Sequence, residues 1–402
     1  MPFETRRRLQ AALPQQTATV FRHTAHYPTP SRTNPAPTGA GRNHKGTMMK
    51  LKIDIATNNF KHGGGTERYT LDLVKGLNRQ NITPAVYATK FDHGIPEYAM
   101  IEPHLVDQRR TLKKLRSFLF SSRLAQTRKN SAAKLIACHH ADYADLLICG
   151  GTHLGYLHHM AQKPNLLDRL AIRRNRSNYA TAKLIVAHSH MMRRELVGLY
   201  GVPPERIQVA PPPPPPADTE RFFPQPRETA ALRAKYGFAD HETVFLFPST
   251  GHTRKGLELL ADFFEQTELP VKLAVAGSPL PRPMKNVVGL GFCTDMPELY
   301  RAADFTIMAS LYEPFGLVGV ESALCGTRVV LSENMACTEV MNEEAGFFFS
   351  RQNPETLAQA VARAVSLKKQ GGHRLSDPMR ALNYNPSLSH HIDRLTDMLA
   401  SV

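Results

Sequence analysis

Several features are scarce in this chain, and each scarcity narrows what it can be. No apolar run approaches the roughly 20 residues that a helix needs to cross a bilayer, and no secretory leader is visible. A soluble or peripheral protein on the cytoplasmic side is expected. Cysteine is limited to Cys138, Cys149, Cys293, Cys325 and Cys337, an odd number with no close pair at metal-ligand spacing. Each lies in or beside an apolar run, which suits reduced thiols in a cytoplasmic protein. Zinc-finger spacing, an RNA-recognition motif and a convincing helix-turn-helix are all lacking, so nucleic acid is a poor partner despite the formal charge of +15. Acid is nearly absent from residues 1–48, where Arg6, Arg7, Arg8, Arg22, Arg32, Arg42 and Lys45 stand against Glu4 alone. That stretch is rich in Pro, Thr and Ala without sustained periodicity, and reads as a disordered extension. It superficially resembles a transit peptide. A start at Met48-Met49, just before the first convincing strand, is the simpler reading.

What is present points to α/β architecture. At 402 residues the chain predicts two domains, because single cores rarely grow past about 250–300 residues. Leu51 to Ala56 reads as a buried strand, Lys61 to Arg68 as a glycine-rich turn, and Tyr69 onward as a helix. Strand, glycine turn and helix open a doubly wound unit, and the turn lets backbone approach a phosphate or sugar closely. Strands follow at 85–88, 146–149 and 184–187. The strand at 146–149 runs into Gly150-Gly151-Thr152-His153, at the end of a parallel strand where ligands bind. Pro211 to Pro216 cannot form helix or central strand, and marks a stiff boundary. Beyond it alternation restarts, with strands at 244–248, 271–276, 305–308 and 329–331 and helices from Leu257, Met296 and Pro354. The loop over Ser249 to Gly256 carries Arg254-Lys255. The predicted division is an extension over 1–48, a first Rossmann-like domain over 49–216 and a second over 217–385. A C-terminal helix over 386–402 could return to the first domain.

Two basic stretches lie inside the fold. Arg109, Arg110, Lys113, Lys114, Arg116, Arg123, Arg128 and Lys129 are interleaved with Leu112, Leu115, Phe118, Leu119, Phe120 and Leu124. Arg169, Arg173, Arg174 and Arg176 follow. Such faces fit an anionic membrane surface or a phosphorylated glycolipid. An ordinary solvated helix face is the competing reading.

The most informative segment is Glu313-Pro-Phe-Gly-Leu-Val-Gly-Val-Glu321. Eight positions separate its two acids, about 12 Å of rise if helical throughout. They cannot share one small ion, but they can grip two ends of an elongated ligand. Between them a helix begins, and its free N–H groups favour an anion. Arg254 and Lys255, on the loop after the domain's first strand, supply fixed cations for a diphosphate and for the charge that builds as it departs.

On these residues the chain resembles the retaining GT-B glycosyltransferases of family 4. In the second half the matching positions are Arg254-Lys255-Gly256, Gly277, Asp295 to Tyr300, Ala303-Asp304 and Glu313 to Glu321. In the first half Gly63 to Tyr69 and Gly151 to Tyr156 look like lipopolysaccharide core enzymes, and more narrowly inner-core α-1,2-N-acetylglucosaminyltransferases. The resemblance implies an α/β GT-B fold, two Rossmann-like domains facing a central cleft. It implies that Glu313 holds donor-sugar hydroxyls and Glu321 the ribose. Arg254 and Lys255 would take the diphosphate together with backbone at Phe315, Gly316 and Leu317, with Gly277 nearby. Gly64 and Gly65 would admit donor phosphate and acceptor, and His153 would face the reacting sugar. A packed or helix-capping histidine is the plain alternative there. His158 and His159 read as surface residues, and His139 and His140 find no role. The implied donor is UDP-N-acetylglucosamine, the acceptor a lipopolysaccharide heptose at the inner membrane face, and no cofactor is implied. No D-x-D triplet is present, so no essential metal is expected. UDP-glucose or another hexosyl donor remains open, as does a non-catalytic glycan- or nucleotide-binding protein. The proline run replaces an Asn-Gly-Val-Asp-like turn common in the family, which puts the hinge geometry in question.

Overall fold

The computed structural model describes residues 52–109, 111, 116–214 and 222–402. The extension over 1–48, Met49, Arg110, Leu112, Lys113, Lys114, Leu115, Pro215 and Pro216 lie outside the described residues. Among the described residues, nine strands belong to the first half: β1 (Ile53–Ala56), β2 (Asn59–Phe60), β3 (Ala85–Ala88), β4 (Lys90–Phe91), β5 (Glu102–Leu105), β6 (Lys134–Ala137), β7 (Leu146–Cys149), β8 (Leu184–Ala187) and β9 (Ile207–Val209). Seven of them form one parallel sheet in the order β5-β3-β1-β6-β7-β8-β9, while β2 and β4 pair separately. The second half holds β10 (Thr243–Ser249), β11 (Val271–Gly277), β12 (Val287–Gly291), β13 (Phe305–Met308), β14 (Val329–Ser332) and β15 (Gly346–Phe349). These form a second parallel sheet, β12-β11-β10-β13-β14-β15.

The central strands β1, β8, β10, β13 and β14 are buried at every position, as expected of parallel strands covered by helices on both faces. In each sheet the strand order reverses beside the domain's first strand. The reversal lies between β1 and β6 in one sheet and between β10 and β13 in the other. Connections leave a crevice open at such a switch point, outside the strands' carboxyl ends.

A buried aspartate helps tie each sheet. Asp54 on β1 accepts from Arg128 Nε at 2.8 Å and Ser131 Oγ at 2.6 Å. Asp304, just before β13, accepts from Arg233 Nη1 at 3.1 Å, Lys368 Nζ at 2.9 Å and the Val244 backbone N–H at 2.8 Å. Arg128 therefore leaves the basic surface on which the sequence places it. Arg174 also turns inward, its guanidinium carbon 5.3 Å from the Phe118 ring centre.

Some boundaries differ from the sequence reading. The first long helix starts at Gly65 (Gly65–Arg79), four positions before Tyr69, because Gly64 is extended and its carbonyl already accepts from the Arg68 N–H at 3.0 Å. The 249–256 loop contains a short helix, His252–Lys255. Pro212, Pro213 and Pro214 are buried, and Pro212 O accepts from Tyr384 Oη at 3.3 Å. The linker is thus packed against the returning chain.

That return ends in helix Leu388–Ala400, which lies on helix Gly65–Arg79 and joins the first domain's core through Leu388, Ile392, Leu395 and Leu399. Gly76 permits the contact, since a Cβ there would overlap the Ile392 side chain. Tyr69 Oη and His391 Nε2 add a 2.7 Å hydrogen bond. Ile392→Ala should cost about 2–5 kcal/mol, and urea unfolding followed by circular dichroism measures it.

Candidate active site

A cleft of about 730 Å³ opens where the two switch points meet, bounded by both domains. From the second domain it receives the loop after β10, with Arg254 and Lys255, and the loop after β13, with Glu313 to Gly316. These loops arrive on opposite sides of the same switch point. Arg254 Nη1 donates to Glu313 Oε2 at 2.7 Å and to the Tyr312 carbonyl at 2.9 Å. The guanidinium is therefore oriented while much of it still faces the cleft. Lys255 Nζ donates to the Pro248 carbonyl at 3.0 Å. Burial holds the Lys255 ammonium below its usual pKa range, with Glu313 opposing that shift.

Gly316 shapes the turn into the next helix. It adopts φ 92°, and a Cβ there would lie 2.8 Å from Met335 Cε and 3.0 Å from Glu313 Cγ. The following helix, Leu317–Leu324, has no side-chain cap. Its first N–H groups are thus left for an anion. Glu321 sits about one turn on, buried. Its Oε2 accepts from Tyr300 Oη at 3.0 Å and its Oε1 from Arg68 Nη2 at 3.1 Å. Arg68 comes from the opposite domain, one turn into the helix that follows the glycine loop.

Among the sequence candidates, Arg254, Lys255, Glu313, Phe315, Gly316, Leu317, Glu321 and Gly65 all line this cleft. Gly64 caps the helix beside it. Gly277 ends β11, where its backbone meets the Ser249 carbonyl so closely that a Cβ would overlap it. His153 is not brought to the cleft wall. It opens helix His153–His159, and its Nε2 pairs with Asp168 Oδ1 at 2.9 Å. Its side chain stays about 31% exposed, tied to that carboxylate.

Other histidines take the wall instead. His139 and His140 follow β6 and His188 follows β8, all at strand carboxyl ends facing the cleft. The strand-end rule that singled out His153 also covers these three. His159 departs from its surface assignment: its ring stacks on Tyr312 at 4.8 Å and 17°. Desolvation pushes His139 and His188 down to about 4 and His140 well below its ordinary value, with Arg174 adding to the shift at His139 and His140. These three rings are therefore neutral at pH 7, able to offer directional hydrogen bonds without charge.

These depressed values link folding to pH. Between about 6.5, the ordinary histidine value, and about 4, the unfolded chain binds protons that folded His139 and His188 refuse. Their contribution to stability is complete above that window and is lost as pH falls through it. Urea unfolding from pH 7 to 4 should show this loss, and His188→Asn should make the decline shallower.

Comparison with known proteins agrees with this geometry. The model for Glycosyltransferase Family 4 matches residues 63–217 and that for Glycosyl transferases group 1 matches residues 242–366. A probable transglycosylase of Burkholderia thailandensis is 40% identical over 355 residues, 87% of this chain and 97% of that protein. Among solved structures, WaaG, a glycosyltransferase involved in lipopolysaccharide biosynthesis, superposes with a TM-score of 0.69 at 17% identity, covering 87% of this chain and all of that one. Anabaena HepE, in complex with UDP and glucose, gives 0.65 at 17% identity, covering 88% of this chain and all of that one. With two parallel Rossmann-like domains closing on one cleft, the chain has the GT-B fold and belongs to glycosyltransferase family 4.

Proposed function

We propose that the chain is a retaining hexosyltransferase that moves N-acetylglucosamine from UDP-N-acetylglucosamine to a heptose of the lipopolysaccharide inner core. The observation that carries the donor reading is the order of groups along one wall. Arg254 is clamped to Glu313, an uncapped helix begins at Leu317, and Glu321 lies about one turn further. A nucleotide sugar matches this order as sugar, diphosphate and ribose. HepE, of the same fold, is known in complex with UDP. The lipopolysaccharide reading draws on the Gly151 to Tyr156 segment and on the fold shared with WaaG.

In this reading the sugar's anomeric carbon loses its bond to the diphosphate oxygen and gains one to the acceptor hydroxyl on the same face. The departing phosphate takes the hydroxyl proton. Arg254, Lys255 and the helix N-terminus stabilise the charge that gathers on the diphosphate. Glu313 orients the sugar, and Glu321 fixes the ribose end. No protein carboxylate is needed as a nucleophile.

An amphiphilic acceptor agrees with the outer face of helix Leu166–Thr181. Leu166, Leu167 and Leu170 are 76%, 63% and 47% exposed, beside exposed Arg169 and Arg173. An apolar strip flanked by arginines suits an anionic lipid surface.

Two measurements test these readings. In a UDP-release assay with heptose-containing core oligosaccharide, Glu313→Ala and Lys255→Ala should each lose about 10²–10³ in kcat while keeping the wild-type circular dichroism spectrum. Full activity in both variants overturns the site assignment, and linkage analysis of the product identifies sugar and configuration. In vesicle flotation, binding to anionic vesicles should exceed binding to phosphatidylcholine vesicles. Leu167→Asp with Leu170→Asp should abolish the excess.

A further inference from the structure

Glu195 is a buried carboxylate outside the donor wall, on helix His190–Tyr200 of the first domain. Its seat is built for it. Gly155 lies against it so closely that a Cβ there would overlap the carboxylate. Oε2 accepts from Thr152 Oγ1 and, at 3.0 Å, from Tyr312 Oη. Among the described residues Oε1 has no hydrogen-bond partner, and His159 Nε2 stands 3.5 Å from it. A buried acid with one unmatched oxygen is costly to stability. Apolar packing alone would be better served by a hydrocarbon side chain.

The contact across the seam shows what the arrangement secures. Tyr312 precedes Glu313 on the second domain's loop, yet its ring is buried in a core cluster of the first domain, stacked on His159. Its carbonyl accepts from Arg254 Nη1 at 2.9 Å, and the same nitrogen donates to Glu313 Oε2 at 2.7 Å. On the other side of Glu313, Pro314 O accepts from Ser189 Oγ at 2.8 Å, and Pro314 rests against Gly151. The residues on both sides of Glu313 are thus held by the first domain.

We infer that Glu195 is a positioning residue: through the Tyr312 hydroxyl it locks the Glu313 loop in register, so that closing the domain seam and aligning Glu313 and Arg254 are one event. This rests on the reading of Glu313 as the acid that orients the donor sugar. Of the groups that would meet UDP, the lock touches Arg254 alone, while Lys255, Glu321 and the helix N-terminus make no contact with Glu195 or the Tyr312 hydroxyl. Losing the lock should therefore damage turnover more than nucleotide affinity.

The test compares Tyr312→Phe, Glu195→Ala, Glu195→Gln and Glu313→Ala in the full chain. Turnover is read with the UDP-sugar that the wild type uses fastest, and UDP affinity by calorimetry. Tyr312→Phe removes one hydroxyl and keeps the ring packing, so it remains informative even if Glu195→Ala fails to fold. Tyr312→Phe and Glu195→Ala should lower kcat about tenfold with UDP affinity changed less than threefold. Glu195→Gln, which keeps an acceptor oxygen, should recover most of the lost turnover. Tyr312→Phe with wild-type kcat, or with UDP affinity falling in step with kcat, overturns the lock. If Glu313→Ala is inactive while Tyr312→Phe is fully active, the lock fails and the donor reading stands. If Glu313→Ala keeps wild-type turnover, the donor reading fails and the lock fails with it.

Discussion

Every functional feature of this molecule depends on the parallel direction of its two sheets. All seven strands of one sheet and all six of the other run the same way, so every strand of a sheet delivers its outgoing loop to the same edge. The helices that cover both faces leave ligands no route except that edge. The glycine loop, the His139-His140 pair and the Gly150-Gly151 turn come to one side of the cleft, and the Arg254 and Glu313 loops to the other. None of these segments adjoins another in sequence. Topology, more than any single contact, assembles the site.

The cleft walls are also joined. Arg68 reaches Glu321, Ser189 reaches Pro314, and the Glu339 carboxylate accepts from the His190 and Met191 backbone N–H groups at 2.7 and 2.9 Å. That last contact places an acid at the N-terminus of a helix in the opposite domain, where the dipole favours it. These polar links surround the cleft, while apolar burial of Tyr312 closes the seam behind it. A polar rim can exchange partners with a ligand more readily than a packed core can separate.

What could be read from the sequence follows how local each signal is. Glu313, Gly316 and Glu321 fall within nine residues, so spacing alone conveys their relation, and Arg254-Lys255 lies on a recognisable strand-to-helix loop. The central strands are apolar runs and were equally legible. The edge strand β5 reads Glu-Pro-His-Leu, with no apolar run to betray it, and its exposed positions explain why. β6 is no shorter than the strands that were legible, but it opens on Lys134, so only Leu135, Ile136 and Ala137 mark it. The partner of Glu321 is 253 positions away, and nothing local links Arg68 to it. His153 shows a different limit. A strand end predicts which edge a residue reaches, but not which neighbour captures its ring. Asp168, at the start of the next helix, decides that.

The helix at 388–400 fills the groove over Gly76, a surface made more than 300 residues earlier in the chain. The ribosome releases the first domain's strands long before this helix exists, so the groove that exposes Leu71, Val74 and Leu77 waits uncovered while the second domain is synthesised. The first domain is consequently the last to be finished. During synthesis it is an incomplete fold with an open apolar groove, and the emergence of residues 388–400, not the order of its own strands, sets the moment of its completion.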